Sequence, residues 1–244
     1  MLLLGLLGAP AVGSQVGSSV DALLSRVDEA WKTRDEPGRL EEIESLLDRA
    51  EEAAPRDYGV LWRRSRLHAW TSDDPARSGW ERSRLGKKGW EYGDRATSVN
   101  PQGVEGWFYA AAGVGNYALG IGVVRALAQG IEAKFRERLS RAERISPDFL
   151  QGAIWSAWGR FYFELPWPKY DGKKSEEYLR RVIRQNPAEE RGRVYLAELY
   201  VKEGHPKEAR KVLEEAVALE PGSYDAPEER RYEERARRLL ARMR

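Results

Sequence analysis

The sequence predicts an all-α protein built as an α-solenoid, an array of antiparallel helix pairs with long inter-helix insertions and a C-terminal capping helix. From residue 20 onward apolar residues recur at helical spacing, Pro and Gly punctuate them at one or two helix lengths, and no segment alternates with period two. One arrangement of small and large apolar positions then returns along the chain. Composition agrees: 244 residues are 41% hydrophobic and 33% charged with a formal net charge of only +2, which describes a folded chain with a sizeable core and no diffuse attraction for nucleic acid.

Residues 1–11, MLLLGLLGAPA, form a short apolar run ending in a small-x-small site, as in an export signal without its basic start. The run is shorter than the roughly 20 residues a spanning helix needs. Residues 12–19 read as a flexible lead-in, and the mature chain is expected to be periplasmic or otherwise exported; an uncleaved Met1 would place it in the cytoplasm. A single helical-repeat domain is expected over residues 20–244. Its first pair joins the segment 20–31 to the amphipathic segment 40–55, with Ile43, Leu46, Leu47 and Ala50 on one face.

The clearest unit is 190–221. With Glu190 as position 1, Leu196, Ala197, Tyr200, Gly204, Ala209, Leu213, Ala216 and Pro221 fall at 7, 8, 11, 15, 20, 24, 27 and 32, the spacing of the 34-residue tetratricopeptide unit. Small residues at 8, 20 and 27 let two helices approach, large ones fill the gap, and the proline stops the second helix. In 152–187, Trp155, Trp158, Gly159 and Tyr162 start a unit whose turn, Leu165 to Gly172, is long; its Trp167 and Tyr170 are expected to fold back onto the array. In 104–147 the inter-helix insertion contains Gly113, Gly115, Gly120 and Gly122. In 58–101 a further insertion separates a helix with Leu61, Trp62 and His68 from one with Trp90, Gly93 and Ala96. Residues 227–244 carry Tyr232, Ala236, Leu239, Leu240 and Met243 on one face and charge on the other, as a capping helix requires.

The residue types also limit the chemistry. The chain has no Cys, which removes disulfides, thiol nucleophiles and Cys-based metal sites, and its two His lack ligand spacing. The stretch from Gly79 to Lys88 has the wrong spacing for a phosphate loop, and Gly113-Val-Gly115 reads as a loosened helix end rather than a dinucleotide site. No nucleophile elbow is present. The expectation is a non-enzyme without cofactor; a hidden hydrolase or transferase using Glu164 or another carboxylate as a base is the competing idea.

Several stretches carry a more specific resemblance: Leu61-Trp-Arg-Arg-Ser-Arg66, Gly89 to Pro101, Val104-Glu-Gly-Trp107, Gly130-Ile-Glu-Ala-Lys-Phe135 and Gly159-Arg-Phe-Tyr-Phe-Glu-Leu-Pro-Trp-Pro168. Together, over roughly residues 40–218, they resemble the TatT family, periplasmic tetratricopeptide-like proteins associated with TRAP-type solute transporters. The resemblance implies an exported helical subunit, a trimer, and a solute-binding protein as partner. This chain departs from the family's common lipoprotein form in having no Cys to carry a lipid.

Counting positions within each unit places Trp62, Arg66, Phe108, Asn116, Ser156, Arg160, Phe163 and Glu198 on the inner, concave surface. Aromatic rings mixed with arginines suit a peptide, a partner helix, or a small hydrophobic or anionic ligand. The expected function is binding of a partner protein or small solute as an accessory to TRAP-type transport; the alternative is a general tetratricopeptide adaptor. The segment from Asn116 to Gly130, with Gly120 and Gly122, is the expected assembly surface.

Overall fold

A computed structural model describes residues 12–220, 222 and 225–243. The export-like run of residues 1–11 lies outside the described residues. Five helix pairs follow one another: α1 (Val12–Trp31) with α2 (Arg39–Ala53), α3 (Tyr58–Ser72) with α4 (Gly79–Val99), α5 (Val104–Ile121) with α7 (Ile131–Ile145), α8 (Ala153–Glu164) with α9 (Gly172–Gln185), and α10 (Glu190–Lys202) with α11 (Pro206–Val217). The short α6 (Val123–Ala128) sits inside the third pair, a 3-10 turn (Phe149–Gly152) precedes α8, and α12 (Ala226–Arg242) ends the array. Residues 12–19, expected as a flexible lead-in, are the first turns of α1.

Local sequence starts these helices in recognisable ways. Asp57 accepts from the Val60 N–H at 2.9 Å, Ser78 and Glu81 form a reciprocal capping box, Asp171 accepts from the Lys174 N–H, and Pro206 and Pro227 occupy first-turn positions where no N–H is needed. The repeat positions fill the core. Leu196, Ala197, Ala209, Leu213 and Ala216 are fully buried between α10 and α11, and Leu139, Ile154 and Trp158 serve the middle of the array in the same way.

The expected insertion before Trp90 is in fact the first half of α4: only residues 73–78 separate α3 from α4. Likewise Gly113, Gly115 and Gly120 lie inside α5, not in a loop. Packing explains why glycine-rich segments are helical here. Gly79, Gly86 and Gly93 on α4 and Gly106, Gly113 and Gly120 on α5 recur every seven residues and bring the two helices together antiparallel. A Cβ on Gly113 would stand 2.3 Å from the Trp90 nitrogen, on Gly93 2.6 Å from the Ala110 Cα, and on Gly120 2.4 Å from the Ser83 nitrogen. Backbone touches backbone, and the contact outweighs the roughly 1 kcal/mol per residue that glycine costs a helix. Gly120, expected to face another copy, therefore has its partner within the chain.

The real interruption comes at Gly122, whose φ of +90° ends α5, and the chain returns through α6 to Gly130 at φ +68°. In the turn between α8 and α9, Tyr170 folds back as expected, its hydroxyl donating to Glu203 at 2.9 Å beneath the Lys202 ammonium. Trp167 does not: it is 88% exposed at the tip.

Gly113→Ala is expected to lower stability by about 1–3 kcal/mol in urea titrations, because the methyl group meets rigid backbone. Gly115→Ala, whose new methyl meets only the movable ring of Phe135 at 3.3 Å, is expected to cost less than about 1 kcal/mol or to stabilise slightly.

Candidate functional site

The inner helices α1, α3, α5, α8 and α10 turn their exposed faces toward one another, and α12 crosses the remaining side, so the concave surface becomes a cavity of about 810 Å³. The junction that closes it joins the two ends of the array. Arg34, in the turn after α1, is 2% exposed and lies between the rings of Trp31 and Trp70, at 4.6 and 4.0 Å from their centroids. Its Nη1 donates to the Trp31 carbonyl and its Nη2 to Asp225 at the start of α12, 2.7–2.8 Å away. Next to it Arg230 donates to both Asp35 carboxylate oxygens, at 2.7 and 2.9 Å. Arg231 stands 3.2 Å above the Trp70 ring and donates to the Trp70 carbonyl.

Opposite this junction the wall is charged but paired. Arg160 on α8 bonds Glu164 and Glu198, each at 2.5 Å, and Arg235 on α12 bonds the other oxygen of Glu198 at 2.6–2.7 Å. Burial disfavours the Arg160 cation, but Glu164 and Glu198 outweigh it and hold its pKa above the ordinary arginine value. Arg191 is held by Glu189 at 3.0 Å and Glu228 at 2.8 Å, and the Tyr195 and Tyr232 hydroxyls meet at 2.7 Å. Burial pushes the Tyr109 hydroxyl up to about 12, so this phenol stays neutral. The remaining wall, from α5, α6, α7 and α8, is apolar: Ala112, Leu119, Val123, Leu127, Phe135 and Phe161 are among its residues.

Of the residues assigned to the concave face by counting, Arg66, Phe108, Asn116, Ser156, Arg160 and Glu198 line the cavity. Trp62 and Phe163 do not. Trp62 stacks on Tyr109 at 6.1 Å and backs Arg66, and Phe163 packs under Arg160 and Lys202, because the ring of each belongs to the next position round its helix. Asn116 acts in the frame as well, its amide donating to the Ala69 carbonyl and the Ser72 hydroxyl at 3.2 and 2.8 Å.

Counting missed α12. Its charged face was expected to be the outer, wet one, yet Arg231, Arg235, Arg238 and Arg242 line the cavity. The signal was present: these arginines sit at i, i+4, i+7 and i+11, a single helical stripe. Trp31, Arg34 and Trp70 were missed because the repeat count did not reach the turn after α1, and because their partners Asp225 and Arg231 come from the other end of the array.

Comparison with known proteins agrees with this architecture. Residues 170–228 match the profile of the tetratricopeptide repeat. A thermophilic tetratricopeptide protein of Thermus thermophilus, TTC0263, superposes with a TM-score of 0.65 at 18% identity, over 93% of this chain and 99% of that one. Pseudomonas aeruginosa pilF superposes with a TM-score of 0.58 at 13% identity, over 94% of this chain and 93% of that one. No curated protein sequence matches the chain. The fold is thus a tetratricopeptide-like α-solenoid. Among the described residues no helix is long and apolar enough to cross a membrane.

Two measurements test how α12 is held. Asp225→Asn removes the countercharge of buried Arg34 and is expected to lower stability by about 2 kcal/mol in urea titrations, with earlier proteolysis of the C-terminal helix. Glu190, buried at the start of α10, has its pKa pushed up to about 7 by burial, with Glu229 and Glu189 adding repulsion. A raised folded-state pKa means its contribution is intact below about pH 4.5 and lost as pH rises through about 7. His68, whose pKa burial lowers to about 4, acts in the opposite direction over the same range, so the Glu190 contribution is read as a difference: from pH 4.5 to 7.5 the wild type is expected to lose on the order of 2 kcal/mol relative to Glu190→Gln.

Proposed function

We propose that this chain is a non-catalytic interaction module, exported from the cytoplasm, that holds a small solute in its central cavity and engages a solute-binding protein of a TRAP-type transport system. The observation that carries the reading is the cavity itself. At about 810 Å³ it falls in the range of small-molecule sites, and α12 closes the concave face that an open array would leave free for an extended peptide. Its paired charges, such as Arg160 between Glu164 and Glu198, are satisfied inside the chain and hold the wall in shape rather than poise a group for proton transfer.

The protein partner is assigned to the mouth of the cavity. Leu165 lines the cavity, and two residues on Trp167 projects into solvent with 88% of its surface exposed. The turn is fixed on both sides: Lys169 pairs with Glu132 at the start of α7 and Tyr170 bonds Glu203. An exposed tryptophan on a fixed turn is the kind of residue that dominates protein interfaces.

Capture from a native envelope extract with the tagged chain tests this. A solute-binding protein is expected to be retained by the wild type and to bind about tenfold more weakly to Trp167→Ala. Retention of cytosolic proteins through their C-terminal tails, unaffected by that substitution, would replace this reading with a general adaptor.

A further inference from the structure

We propose that the central cavity binds a linear anionic amphiphile of the fatty-acid type, its carboxylate on Arg231 beside Trp70 and its aliphatic chain along the trough formed by α5, α6, α7 and α8. The proposal rests on the reading of the cavity as a small-molecule site and names the chemistry of what it holds.

The sign of the ligand follows from the charges. Ten arginines and six carboxylates line the cavity; five further carboxylates just behind the wall, Asp28, Asp74, Glu81, Glu189 and Glu234, pair with Arg66, Arg77, Arg191 and Arg238, so the sign of the ligand rests on the arginines that no carboxylate reaches. Arg34, Arg82, Arg160, Arg191 and Arg235 each have a carboxylate of the cavity wall within 4 Å. Arg66 shares the single carboxylate of Asp28 with Arg63. Arg231 makes no salt bridge with a carboxylate of the described residues, although the charge of Asp73 acts on it from farther away; it rests on the Trp70 ring face and donates one hydrogen bond, to the Trp70 carbonyl, of the five its N–H groups can make. A partly buried guanidinium held flat on an indole keeps its fork in one orientation, suited to a planar bidentate acceptor such as a carboxylate. Ser156, whose buried hydroxyl has no hydrogen-bond partner, opens onto the same cavity.

The shape of the ligand follows from the other wall. Ala112, Gly115 and Leu119 lie on one face of α5, and Ala153, Ala157 and Phe161 on one face of α8. The small residues leave a trough, which Val123, Leu127 and Phe135 close from α6 and α7. A small inorganic anion would leave this wall in water, and a neutral hydrocarbon would leave Arg231 unpaired; a chain with a charged head satisfies both.

Calorimetric titration of the full chain with octanoate, decanoate and dodecanoate, with decanol and inorganic phosphate as comparators, tests this. Affinity is expected to rise about fourfold per methylene. Arg231→Gln is expected to weaken decanoate about tenfold or more and leave decanol within twofold. Ala157→Phe, which fills the trough, is expected to abolish the dependence on chain length; because Arg231 also joins α12 to Trp70, retained decanol binding in Arg231→Gln and an unchanged helical circular-dichroism spectrum in both variants exclude misfolding. Equal binding of decanol and decanoate, affinity independent of chain length, phosphate binding as well as decanoate, or indifference to Arg231→Gln would each overturn the proposal. If no carboxylate binds while the Trp167-dependent partner is still captured, the ligand class fails and the interaction module stands. If dodecanoate binds and no partner is captured, the reverse holds.

Discussion

The position of Arg34 decides whether the molecule has an inside. A helical-repeat array is held pair by pair, and nothing in nearest-neighbour packing brings its last helix to its first. Here a single buried guanidinium touches Trp31 from the first pair, Trp70 from the second and Asp225 at the head of the terminal helix. Its charge would be costly to bury alone; the two indole faces and the carboxylate offset that cost only when all three are assembled. With Arg230 on Asp35 and Arg231 on Trp70 alongside, the contact between the ends is made of arginines against aromatic rings and carboxylates. Contacts of that kind are directional, so they fix where α12 crosses the concave face as well as holding it there.

The glycines of α4 and α5 play the complementary part. Removing side chains from one stripe of each helix lets the backbones meet, and this close contact sets the wall that the rest of the cavity is built on. It carries α5 far enough, to Ile121, that Asn116 can bond the end of α3 and Leu119 can reach the cavity. The break at Gly122 then turns the chain into α6, which supplies the floor between α5 and α7. Stability and site therefore share a cause, since the same helix that packs without side chains on one face presents the trough on the other.

The distribution of charge separates scaffold from site. Arg160, Arg191 and Arg235 are neutralised in place by Glu198, Glu164, Glu189 and Glu228, and their role is to hold α8, α10 and α12 in register. Arg231 differs from these three, resting on a π-face with no carboxylate within salt-bridge reach and donating to a backbone carbonyl. A chain with a net charge of only +2 can still line its cavity with more arginines than carboxylates, because the fold rather than the composition decides which charged side chains face inward.

The sequence by itself determined the helices, their pairing and the small residues between them: the spacing from Leu196 to Ala216 is a local property, and the residues it marks are the buried ones. It also placed Arg66, Phe108, Asn116, Ser156, Arg160 and Glu198 toward the concave side, since position within a repeat fixes the face of a helix. It misread the glycines of α5 as a loop, because glycine lowers helix propensity locally and only the backbone of α4, roughly twenty to forty residues earlier, offsets that cost. It also turned Trp62 and Phe163 inward and the arginine stripe of α12 outward. What only the tertiary structure decided is the closure of the array. Arg34 and Asp225 are 191 residues apart, and periodicity, which records each helix's neighbours in sequence, carries no trace of a contact made once between the two ends.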